Sequence, residues 1–119
     1  MKINNYQDVA AKELVTGVTM RVVAGPEHGA PTFAMRLFEL QPGSSTPQHS
    51  HDWEHEVFVI AGRGILRSAE GELKLGEGDA VLVPPGEQHC FANTGNAVLR
   101  LICVVPLIGG QMPGTPPAD

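Results

Sequence analysis

Residues 49–56 read HSHDWEHE, three imidazoles and three carboxylates within eight positions. Imidazole is the commonest metal ligand among side chains, and two histidines one residue apart share a face of an extended chain. His49 and His51 are therefore half of a metal site, to be completed by groups from other strands. His55 follows in the same stretch, and His89 lies in a second cluster further on. Glu56 competes with His55, because neighbours on a strand face opposite ways and only one can point inward. If His55 does, Val57 and Val59 go with it, and Glu56, Phe58 and Ile60 face the other way. Apolar residues occur on both faces, so alternation alone accepts either.

Short strands must position these groups. Fourteen Gly and ten Pro in 119 residues fall between short apolar runs, a pattern of many turns and few long helices. The runs are residues 19–24, 31–40, 55–62, 64–76, 79–84 and 97–106, with 64–76 expected as a hairpin turning near Glu70-Gly71. Period-2 alternation in several of them predicts an all-β sandwich or barrel in a single domain. Residues 1–18 are an N-terminal extension with room for one strand or helical turn, residues 19–107 the barrel, and residues 108–119 a Gly/Pro-rich tail expected to be flexible.

Charge and composition exclude several classes of function. The net charge is −5, with no Lys/Arg cluster to neutralise phosphates, so no nucleic-acid partner is expected. No apolar run is long enough to span a membrane, and no basic-then-apolar leader opens the sequence. A cytoplasmic protein with two free thiols, Cys90 and Cys103, is the expectation.

Two longer patterns enclose the histidines. Gly43 stands five residues before His49, His51 follows after one more, and six residues separate His55 from Gly62. Downstream, Gly78, Pro84, Gly86, His89 and Asn93 are spaced by five, one, two and three residues. These segments resemble the paired motifs of the cupins, G-x5-H-x-H-x3,4-E-x6-G and G-x5-P-x-G-x2-H-x3-N. The second fits throughout; the first departs only at its acidic position. The resemblance implies a double-stranded β-helix, a jelly-roll barrel with the ligands inside. The distance to Gly62 favours His55 over Glu56, since Glu56 has five residues before that glycine. With His55 the set resembles that of the four-histidine cupins: His49, His51, His55 and His89. That likeness points first to Mn(II), then Fe(II), with Ni(II), Cu(II) and Zn(II) also compatible with nitrogen ligands.

Four neutral imidazoles leave a divalent ion's charge uncompensated, so the site should attract a small, anionic ligand. Candidate pocket residues are Phe91, which shares the face of His89, and Leu101 and Cys103 in the last strand. Cys103 reads either as a small buried hydrophobe or as a thiol near the metal. Arg36 reads first as solvated or at a subunit interface, and alternatively as an inward partner for an anionic substrate. Trp53 covers the barrel mouth or packs at an interface, and His28 is expected to be exposed. The leading function is a metal-dependent oxidoreductase using dioxygen or peroxide on a small organic substrate. A non-redox Lewis-acid isomerase and a binding module without turnover are the rivals. A homodimer is expected from the resemblance.

Overall fold

The structure, a computed structural model, describes residues 1–113 and contains no α-helix among them. Nine strands follow one another: β1 (Lys12–Val15), β2 (Val18–Ala24), β3 (Phe33–Leu40), β4 (His55–Ala61), β5 (Arg63–Ser68), β6 (Gly71–Gly76), β7 (Ala80–Val83), β8 (His89–Ala92) and β9 (Leu99–Pro106). They form two antiparallel sheets, ordered β1-β2-β3-β9-β4-β7 and β6-β5-β8. Both one-turn and strand readings of the N-terminus are realised, as a short 3-10 turn at Tyr6–Asp8 followed by β1.

Alternation makes the core. In β9, Leu99, Leu101, Cys103 and Val105 are all 5% exposed or less, and they meet Val57 and Val59 of β4 and Ala34 and Leu40 of β3. Each such aliphatic side chain contributes roughly 1.5–3 kcal/mol over leaving it in water. The 64–76 segment is the expected hairpin, Ser68 pairing with Gly71 across the turn.

Glycine and asparagine set the corners. Gly62 sits at φ +88°, and a Cβ there would lie 2.6 Å from the Val98 carbonyl oxygen. No other residue satisfies both demands. Asn93 is buried and donates to the carbonyls of Leu40 and Ala97, while its side-chain oxygen accepts from the Gly95 amide. It closes the turn between β8 and β9 and ties it to the end of β3.

Four details differ from the sequence expectation. Residues 44–49 are not a named strand, yet they run antiparallel along β8, with Thr46 bonded to Phe91 and His49 to His89 through the backbone. The facing of Arg36 is corrected: it lines the interior with Phe38, because Ala34 and Leu40, both 0% exposed, fix that face of β3. Leu37 is buried as well, under Tyr6 and its neighbours, which hid the alternation. His28 is half-buried rather than exposed, its Nδ1 accepting the Gly25 amide. Finally, Ile108 and Gln111 exchange backbone hydrogen bonds, and Met112 packs on the core. The rest of the tail expected to be flexible, residues 114–119, lies outside the described residues.

Candidate metal centre

The carbonyl of His51 accepts from the Gly86 amide at 2.6 Å, and His49 and His89 exchange both backbone hydrogen bonds. The loop carrying the first two histidines is thereby tied to the segment that precedes and includes β8. His49, His51 and His89 each place one ring nitrogen within 4.8 Å of the others. His55, at the start of β4, stacks on His51 with ring centroids 4.5 Å apart and lies 5.3 Å from His89 by the same measure. Strand parity turns His55 inward, where it is 6% exposed, and leaves Glu56 exposed on the outer face.

Hydrogen bonds set the tautomers. His49 Nδ1 lies 2.6 Å from the Pro47 carbonyl, and His89 Nδ1 lies 2.8 Å from that of Glu87. A carbonyl only accepts, so both Nδ1 atoms carry the proton and both Nε2 atoms present a lone pair. His55 Nδ1 is held differently, 3.3 Å from Cys103 Sγ, and its Nε2 faces His51 Nδ1 at 2.8 Å. Two facing ring nitrogens must share either a proton or a cation. Both can offer lone pairs to a transition-metal ion placed between them, with His55 Nδ1 already held by Cys103.

Burial, reinforced by neighbouring charges, keeps His51, His55 and His89 neutral. His55 is lowered to about 3 by burial first, then by His51, Arg36 and the remaining imidazoles. His51 is lowered to about 4, again by burial and then by His49, His89 and Arg36. His89 is lowered by burial, against an opposing hydrogen bond to the Glu87 carbonyl. Neutral imidazole is the ligating form, so these three rings are ready for a cation at neutral pH.

The histidines sit at one wall of a cavity of about 440 Å³. Trp53 stacks on His51 at 4.5 Å, and Phe91, Leu101 and Cys103 line the same space, as does Arg36. Sequence reasoning missed Leu14, Met20, Phe38 and Met112, which close it from β1, β2, β3 and the segment after β9. No motif marks them; the only hint was the apolar alternation of Val18, Met20 and Val22. No carboxylate is among the lining residues described. Burial raises the Cys103 thiol, and Arg36 partly opposes this.

Comparison with known proteins agrees with the motifs. The model of the Cupin domain family, Cupin_2, matches residues 36–105. The chain is similar to the structure of the polyketide cyclase RemF from Streptomyces resistomycificus. It is 34% identical with a TM-score of 0.82, covering 89% of this chain and 79% of that one. It is also 34% identical over 77 residues to the oxalate-binding protein of Thermotoga maritima, covering 61% of this chain and 64% of that protein. The tetracenomycin polyketide synthase protein TcmJ of Streptomyces glaucescens is 27% identical, over 79% of this chain and 64% of its own. The chain thus spans less than two thirds of the curated relatives it matches.

Proposed function

The chain belongs to the Cupin_2 family, and from that premise we propose that it is a metal-dependent enzyme for an enolisable carbonyl compound with an apolar body. His49, His51, His55 and His89 would hold the ion, with Mn(II) first and Fe(II), Ni(II), Cu(II) or Zn(II) as alternatives. The observation that carries this reading is the cluster of His49, His51 and His89, with His55 stacked beside it, in an apolar cavity without a single lining carboxylate among the described residues. A divalent cation bound there supplies Lewis acidity toward a carbonyl or enolate oxygen. Phe38, Phe91, Trp53 and Leu101 exclude water around the substrate body. With no carboxylate base in the lining among the described residues, a proton flanked by two carbonyl groups, acidic in its own right, suits this site best.

The sequence alone ranked dioxygen or peroxide chemistry first. The cavity wall favours the non-redox reading: Met20, Cys103 and Met112 line it, and their side chains are readily oxidised. The similarity to a polyketide cyclase supports carbon–carbon bond formation within one poly-carbonyl chain as the reaction class. The outer face of the larger sheet exposes Phe33, Met35, Phe58 and Leu82, which supports association of two copies.

Benzoylacetone added to protein loaded with Mn(II), Fe(II) or Zn(II) is the test, with ultraviolet absorbance and dissolved oxygen followed together. An enolate band that appears with all three metals, without oxygen uptake, is the expected result. Oxygen uptake confined to the redox-active metals would restore the oxidoreductase. Neither signal, with metal bound, would leave a binding module.

A further inference from the structure

Arg36 is a half-buried cation without an anion. Its Nη2 donates to Cys103 Sγ at 3.1 Å, its Nη1 reaches only Met20 Sδ at 3.9 Å, and its guanidinium lies 5.1 Å over the Phe38 ring. The Nε is buried with no partner at all. No carboxylate or carbonyl oxygen receives any of its five N–H groups among the described residues. Three other strand arginines have a carboxylate partner: Arg100 and Arg21 pair with Glu39 at 2.7 and 3.8 Å, and Arg67 with Glu72 at 3.1 Å. A guanidinium withdrawn from water and left to sulfur and an aromatic face carries a desolvation cost that an anion offsets.

We propose that Arg36 is the anion-recognition residue of the cavity and that the ligand is an organic carboxylate with a hydrocarbon body. The guanidinium edge matches a planar two-oxygen head. A phosphate would require further donors, and among the described residues the only other Lys or Arg in the lining is the exposed Lys12. A cavity of about 440 Å³ walled by Leu14, Phe38 and Leu101 is larger and more apolar than a bare dicarboxylate would use. The inference deepens the reading above, since the carboxylate would share the cavity of the metal centre, but its test runs without metal.

Octanoate and 1-octanol share a tail and differ in charge. Each is titrated into metal-free protein while the fluorescence of Trp53, the chain's single tryptophan, is recorded. Octanoate should bind at least about tenfold more tightly than 1-octanol. Arg36→Gln should remove that preference, and Arg36→Lys should recover part of it. Equal affinity for the two ligands, no octanoate binding, or a preference retained within about twofold in Arg36→Gln would overturn the proposal. Should Arg36→Gln fail to fold by circular dichroism, the wild-type comparison and Arg36→Lys decide. Metal uptake by the wild type is measured separately: a protein that takes up none of the five metals sinks the metal reading and leaves the Arg36 inference standing.

Discussion

His49 and His89 are aimed by the backbone, whereas His55 and His51 are aimed by side chains. The first pair each donate Nδ1–H to the carbonyl two residues before them, a contact built into the chain's own path. The second pair lean on Cys103 Sγ, on Trp53 and on each other. A backbone carbonyl cannot be removed by substitution, but a cysteine or a tryptophan can. One half of the centre is therefore fixed by the fold, and the other half is open to tuning through neighbours.

The largest break in this comparison comes from the rigid half itself. His89→Ala should weaken metal binding by more than about a hundredfold, beyond what loss of an outer partner costs. Metal content per chain after dialysis measures it, and retention of one equivalent would remove His89 from the ligand set. The softer half should give a graded response. Cys103→Ala deletes the partner of His55 Nδ1 and should lower affinity about tenfold, with Cys103→Ser closer to wild type. Competition with a chromogenic chelator reads the difference, and an unchanged affinity would show that His55 needs no anchor.

Acid should act mainly on His51 and His55. The unfolded chain takes up protons near the ordinary value of 6.5, while the folded protein resists until about 4 at His51 and about 3 at His55. Between those limits the unfolded state binds more protons, so stability rises with pH there and is lost as pH falls from about 6.5 toward 4. The metal-free protein should show that decline in Tm by circular dichroism, and His55→Phe should flatten it. A flat wild-type profile would mean these rings are better solvated than their burial indicates. The smallest effect belongs to Glu56→Ala, which should leave metal content unchanged because that side chain points outward. Loss of metal in Glu56→Ala would reverse the facing of β4 at its first residues.

Much of the architecture was legible because its rules are local. The glycine spacing placed His55 in register with Gly62, and alternation in β9 sent Cys103 inward. Arg36 was not legible. Its strand buries residues on both faces, Ala34 and Leu40 inside and Leu37 beneath the N-terminal turn, so no periodicity singled out one side. Met112 escaped for a different reason: a Gly/Pro-rich tail offers no pattern to read, and only the folded chain brings it to the cavity. The loop between β3 and β4 shows the same limit, since His49 gains its strand-like pairing only from β8, forty residues away.

The chain carries net charge −5, with Asp52, Glu54 and Glu56 exposed, yet among the described residues the cavity lining holds Arg36 and Lys12 and no acid. A negatively charged visitor is thus repelled at long range and welcomed only on arrival. Capture should be slow in dilute buffer and quicken as added salt shortens the reach of the outer field. Such a cavity favours visitors that stay over visitors that arrive often, and its selectivity is written in residence time.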